Sequence, residues 1–511
     1  MTQTNTQSAN RIHWLALGLF LITIVTRIPF QSQYLYHWDS VNMAFGIQEY
    51  NVLAGAPQFP GYIVYIALAQ VLNLVFNDPQ TTMLLITILS SGLSVVVLFY
   101  LGRAMFNTTA GIIAAVFLIA SPLFWFYGEI ALPHTLDMFT VLLAVYLFYQ
   151  IMIGQTRWLW WGTVYLALVG GFRQQTLLFL GPLLLFASYR LGIVRLIQMA
   201  VLGAVTTLIW FLPLLAYSGG FQTYMAGSSA YSASFFNTTS LLAGAGMFGL
   251  QRNLVKLIPY TLYGLSLATL PMLYWLVYLR RPVALLRSRK FWFIALWIAP
   301  ALAFYVVIHM GQQGLTFVFL PALLLLGAEG LRRLLESRPV ALRVAVGLVA
   351  LVGAGIFVVG PTFPLGENGP KLLTYNTLRE HDSLMRDQIE AVRDNFQPEN
   401  TLLLAGNWRF AEYYLPGYHF AEFSLGAKWE IDQGQASGAA FAGQPMTAEA
   451  LGLTPDENWQ VVVFDNELDE FSNVPLETVE TASGYQMAYY SLAPDAAYFT
   501  DGQTYGAQTA Q

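Results

Sequence analysis

Seven carboxylates stand in the first 360 residues: Asp39, Glu49, Asp78, Glu129, Asp137, Glu329 and Glu336. They sit in strongly apolar surroundings, where an ionisable group is costly and marks function by default. Glu329 and Glu336 lie among arginines and read as their pairing partners. Asp78, in NDPQ, reads as a turn and helix cap. Asp39 lies in YHWDSVNMAF, where it is either a cap accepting orphan amide protons or a free base. Glu129, His134 and Asp137 fall within WFYGEIALPHTLDMF. The His and Asp, three apart, share one helical face, and Pro133 suits that helix's first turn. They are either a hydrogen-bonded pair ordering the helix start or, with Glu129, a site for a divalent metal.

The cations and amides among these apolar runs suit an anion or a sugar. Arg173, Gln174 and Gln175 (GGFRQQT) occupy a very short connection, with donors matched to phosphate or sugar oxygens. A lone arginine there also has the plainer option of snorkelling to the headgroups. His309, Gln312 and Gln313 (HMGQQG) form a similar polar, glycine-flanked cap. Arg252 and Lys256 can hold a phosphate as fixed cations. GAGMFG (244–249) matches a dinucleotide pattern but has neither a preceding strand nor a following acid, so it fails that test. Asn237-Thr238-Thr239 is a glycosylation sequon, relevant only in a eukaryotic secretory host.

These residues must be positioned by membrane helices. The chain is 511 residues long, 56% hydrophobic and only 10% charged, with a mean hydropathy of +0.53. Average soluble proteins carry about 25% charge, so most of this chain must meet lipid. Apolar runs of near-spanning length fall at 12–30, 81–102, 110–128, 131–153, 158–172, 176–189, 194–217, 254–279, 291–309, 315–331 and 341–360. The expected class is an α-helical polytopic membrane protein with about 11 transmembrane helices. The stretch 59–76, interrupted by Gln70 and Asn73, reads as a re-entrant or interfacial helix. Residues 41–48 suggest a short amphipathic helix on the membrane surface, and the Gly/Ser-rich 218–253 suggests a mobile loop.

Residues 1–360 carry 18 Lys and Arg against 7 Asp and Glu, a net of +11, whereas 361–511 has a net of −16. Arg103, Arg157, Arg190, Arg195 and the clusters at 280–290 and 332–343 fall in alternate connections. The positive-inside rule makes these cytoplasmic, along with the N-terminus. Asp39, Glu129, Arg173, Arg252 and His309 then face outward. The expected domains are a membrane domain at 1–360 and an acidic exoplasmic α/β domain at 361–511. In the latter, 377–396 reads as a helix, 401–405 and 459–465 as strands, and the tail beyond about 500 as disordered. The composition excludes nucleic-acid-binding, fibrous and disordered proteins. The absence of cysteine excludes disulfides, Fe–S clusters and thiol nucleophiles.

Read in order, the segments form a recognisable series. A first span precedes a long outer loop with an aspartate (HWDS) and a Pro/Gly-marked hydrophobic segment (APQFPGYIVY). A span ending in a basic turn (LGRAMFNTTAG) and SPLFWFYGEIA follow. Together they resemble the polytopic glycosyltransferases of the GT-C class, near the protein O-mannosyltransferase, aminoarabinose transferase and Rgt-like branches. The resemblance is best over 12–190 and looser over 311–325. It departs where those families often have paired acids, here Asp39-Ser40, and a His-Pro-Pro or Lys-Pro-Pro, here Gln58-Phe59-Pro60-Gly61. The cation missing there has candidate replacements in Arg173, Arg252 and Lys256.

The resemblance implies transfer of a sugar from a polyprenyl-phosphate carrier to a lipid, glycan or protein acceptor on the outer membrane face. Asp39 is then the expected base, Glu129 a second carboxylate orienting the acceptor, and Arg173 a phosphate contact. A transporter or lipid flippase is the alternative, expected to show inverted repeats and midplane charges. A scaffold whose acidic domain binds partners is a third reading. The ionisable groups cluster at one face without visible repeats, which favours the enzyme.

Overall fold

A computed structural model describes residues 2–280, 282–364, 371–422, 445–449, 451–455, 457–465, 476–494, 496 and 498–499. The expected disordered tail beyond 500 lies outside these. The chain divides into two compact units, one formed mainly by residues 1–32 and 43–363, the other by 33–42 and 378–511.

The first unit is helical. Six of its helices have the length and apolarity to cross a membrane: Asn10–Phe30, Pro79–Met105, His134–Met152, Ile193–Tyr217, Arg289–Val307 and Pro339–Val359. This is a multi-pass membrane protein. The lipid-facing character is plain on Ile193–Tyr217, where Ile193, Ile197, Val201, Val205 and Leu212 are exposed in one stripe. Inside, small residues let helices touch. A Cβ on Gly102 would lie 2.8 Å from the Cα of Gly111, so helices Pro79–Met105 and Thr108–Ala120 meet at their backbones.

The remaining apolar runs are shorter or broken. Residues 110–128 split into Thr108–Ala120 and Pro122–Tyr127. The break is at Ser121, whose hydroxyl caps the second helix at Phe124 and donates to the Gly264 carbonyl. The run 254–279 is interrupted at Ser266, which has φ of 49° and ends helix Gly246–Leu265. The stretch 59–76 gives a 14-residue helix, Ile63–Phe76.

Two expectations are corrected. Residues 218–253 are not a mobile loop. Gly219 and Gly220, with φ of 72° and 101°, turn the chain into a 19-residue helix, Phe221–Thr239. Its alanines and serines tolerate helix well enough for glycine content to mislead. The helix Trp38–Gln48 does form, but it is not an amphipathic surface helix. Its polar Ser40 and Asn42 are as buried as Val41 and Ala44.

The second unit is α/β. Helix Tyr375–Asn395 lies within it apart from its first turn, and five strands make its sheet: β1 (Thr401–Ala405), β2 (His419–Glu422), β3 (Trp459–Val463), β4 (Glu477–Glu480) and β5 (Gln486–Leu492). The order is β2-β1-β3-β5-β4. β1 runs parallel to both β2 and β3, pairing Leu402 with His419 and with Val461, and β5 runs antiparallel between β3 and β4. β1 is buried throughout, as a central strand covered on both faces requires.

Candidate active site

The polar residues of the membrane unit come together as separate small clusters. Asp137, in the first turn of His134–Met152, meets Arg173, in the short connection before Gln175–Ser188. The Nη1–Oδ2 distance is 2.6 Å, and both residues are buried. Around this pair stand Tyr62, whose ring centroid is 6.0 Å from the guanidinium, and the fully buried Tyr65 and Tyr305. Among the described residues, neither the Tyr65 nor the Tyr305 hydroxyl has a hydrogen-bond partner. Gln174 donates to Tyr224 Oη at 2.9 Å.

His134 Nε2 is 2.6 Å from Gln312 Oε1, and its ring packs edge-on against Tyr127 at 4.8 Å. Gly314 lies flat on that ring, where a Cβ would come within 2.5 Å, so the 311–314 turn needs glycine to reach it. Gln313 donates to the Lys371 carbonyl.

Glu129 follows helix Pro122–Tyr127 and is fully buried. Its partner is Arg27, an arginine inside the first apolar run that its sequence context did not single out. Arg27 Nε is 4.0 Å from Glu129 Oε1, and Arg27 also donates to the Ile119 carbonyl and lies 4.4 Å over Trp125. Burial pushes the Glu129 carboxyl well above its ordinary range, and the Arg27 charge opposes that shift. An arginine at the end of an otherwise apolar span was the available signal for this pair.

Glu129, His134 and Asp137 therefore each face a different partner. The alternative of a divalent-metal site built from the three is not met: among the described residues, no three His, Asp or Glu side chains converge.

The third cluster is basic. Arg252 and Lys256 are one turn apart on Gly246–Leu265, and His309 lies within electrostatic reach of both. Arg252 donates to the Met310 carbonyl, and His309 Nδ1 is 3.1 Å from Thr239 Oγ1. Lys256 meets no carboxylate among the described residues. Asp39 belongs to the second unit, in the first turn of Trp38–Gln48. Its amide donates to His37 Nδ1 at 3.1 Å, and its carboxylate is 27% exposed.

The family model for dolichyl-phosphate-mannose-protein mannosyltransferases matches residues 60–217. No curated protein matches the chain. Among solved structures, ArnT from Cupriavidus metallidurans in the apo state superposes with a TM-score of 0.53. The identity is 13%, over 96% of this chain and 98% of that one. The same ArnT bound to undecaprenyl phosphate gives 0.54, again at 13%, over 95% and 98%. The apo oligosaccharyltransferase of Archaeoglobus fulgidus gives 0.50 at 13%, over 94% and 75%. The fold is thus one shared with ArnT and the archaeal oligosaccharyltransferase, and the family match covers under a third of the chain.

The basic cluster on Gly246–Leu265 lies outside the matched 60–217. The Asp137–Arg173 pair, inside the match, is already neutralised.

Proposed function

We propose that this protein is a membrane glycosyltransferase moving a sugar from a polyprenyl-phosphate carrier to a lipid, glycan or protein acceptor on the exoplasmic face. The proposed topology has eleven crossings, a cytoplasmic N-terminus, a membrane domain at 1–360 and an exoplasmic domain at 361–511. The observation that carries the reading is Lys256, set beside Arg252 and His309 in this fold with no carboxylate among the described residues to neutralise it. Two cations one turn apart call for an anion, and a phosphate monoester or diester supplies one.

In this scheme Asp39 accepts the proton of the acceptor hydroxyl as its oxygen attacks the anomeric carbon. The bond from that carbon to the carrier oxygen breaks, leaving a polyprenyl phosphate whose charge needs cations rather than a proton. Arg252 and Lys256 hold that phosphate. Arg173, bound to Asp137, shapes the neighbouring polar region with Gln174, and His134, Gln312 and Gln313 fix the adjoining turns. Glu129, buried beside Arg27, serves as a second carboxylate that orients the acceptor.

The test uses the full-length chain in lipid nanodiscs with undecaprenyl phosphate bearing mannose, glucose or 4-aminoarabinose. Lys256→Ala should weaken binding of bare undecaprenyl phosphate about tenfold with little change in melting temperature, the scale of one charge-assisted hydrogen bond. Asp39→Asn should bind the carrier normally and transfer no sugar. Full transfer by Asp39→Asn sinks the base assignment. Carrier translocation in proteoliposomes with no glycosylated product, whichever acceptor is offered, would establish a transporter instead.

A further inference from the structure

The second unit takes ten residues from the first outer loop, 33–42, although the rest of it lies beyond residue 363. The carboxylate of Asp382, on helix Tyr375–Asn395, accepts the amides of Gln33 at 2.9 Å and Tyr34 at 3.2 Å. The next amide, that of the fully buried Leu35, donates to the Tyr414 hydroxyl at 2.7 Å. Three consecutive backbone donors are thus held by two side chains of the C-terminal chain.

The same segment is held by its rings. Tyr34, Tyr36 and Trp38 are spaced two apart, and each meets an aromatic of the unit. Tyr34 packs on Tyr414 at 5.4 Å, Tyr36 on His381 at 4.9 Å, and Trp38 edge-on to Trp408 at 5.7 Å. Trp408 is itself fixed by stacking on Phe420 at 5.5 Å. Ring pairs of this geometry add to area burial, and three in a row leave the segment little freedom. The held segment ends at His37, whose carbonyl accepts the Ser40 amide and whose ring accepts that of Asp39.

We infer that the C-terminal unit positions Asp39, with Asp382 and Tyr414 as positioning residues that hold residues 33–35 and so set the helix start carrying that carboxylate. The inference rests on the reading of Asp39 as the base. The acidic unit is then a working part of the transferase and not an appended binding module.

Hydrogen exchange on the full-length protein in nanodiscs tests the clamp without any substrate. Tyr414→Phe removes one hydroxyl and should speed exchange at Leu35, while Asp382→Asn should speed it at Gln33 and Tyr34, with β1 and β3 unchanged. In transfer assays with the three glycosyl carriers, each variant should lower kcat about tenfold, the equivalent of one lost hydrogen bond, at unchanged KM for the carrier. A structural defect would instead lower the amount of folded enzyme and loosen β1 and β3. Unchanged exchange at 33–35 overturns the clamp. Faster exchange with unaltered kcat, while Asp39→Asn is inactive, overturns positioning and leaves the base assignment standing. Full transfer by Asp39→Asn removes the base reading, and the positioning inference with it, whatever the exchange shows.

Discussion

The two units satisfy their buried and half-buried carboxylates differently. In the membrane unit Asp137 and Glu129 face guanidinium groups, those of Arg173 and Arg27. In the C-terminal unit Asp382 and Asp465 face backbone amides. Asp382 takes two from residues 33–34, and Asp465 takes those of Gly406 and Asn407 at 2.7 and 2.8 Å. The cause is the supply of donors. Spanning helices consume their own amides, so an acid among them has to find a countercharge. The turn after β1 leaves its amides free to point at Asp465, and no cation is required. A carboxylate held by amides can also fix a loop's conformation, whereas one held by arginine fixes the distance between two elements.

The largest effect should come from breaking the tight membrane pair. Arg173→Met or Asp137→Leu alone should destabilise the protein by about 3–5 kcal/mol, because each strands a buried charge, and the double variant should recover most of that. Thermal unfolding in nanodiscs measures it. A double variant no better than the singles would mean that the pair is not an isolated lock.

A smaller loss is expected from Glu129→Gln, about 1–2 kcal/mol. Its oxygens stand 4.0 Å from the guanidinium, and Arg27 keeps the Ile119 carbonyl and the Trp125 ring. If this variant proved as damaging as Arg173→Met, the distinction between the two pairs would fall.

The smallest effect concerns pH. Burial pushes the Asp465 carboxyl above its ordinary value, with the amides of Asn407 and Gly406 pulling the other way. A raised folded value means the group's stabilising contribution is complete at low pH and is lost as pH rises through it. The melting temperature of wild type relative to Asp465→Asn should therefore decline from about pH 4 upward. A flat or rising difference would show that the amides, not burial, dominate.

Much of the fold could be read from local pattern. Uninterrupted apolar windows marked six full-length helices. Residues 377–396, 401–405 and 459–465 were read nearly as they stand in Tyr375–Asn395, β1 and β3. The breaks at Ser121 and Ser266 were missed because apolar composition continues across them, although Ser121-Pro122 is a helix-start signal in its own right. Of the site, Asp137 and Arg173 were both selected, but not as each other's partners, since 36 residues separate them. Arg27 lies inside the apolar run 12–30, and nothing local marks it as the partner of Glu129, 102 residues on. The alternation of Tyr34, Tyr36 and Trp38 is visible in the sequence, but nothing local says what those rings meet.

The separation between the two halves of the clamp has a consequence for biosynthesis. Gln33 and Asp382 are 349 residues apart, and Leu35 and Tyr414 are 379 apart. At roughly 5–20 residues per second, segment 33–35 waits about 20–70 s after it is made before its partners exist. The loop bearing Asp39 is thus set only once nearly the whole chain has been translated. A chain cut short before residue 382 would make the helical unit with residues 33–35 unheld.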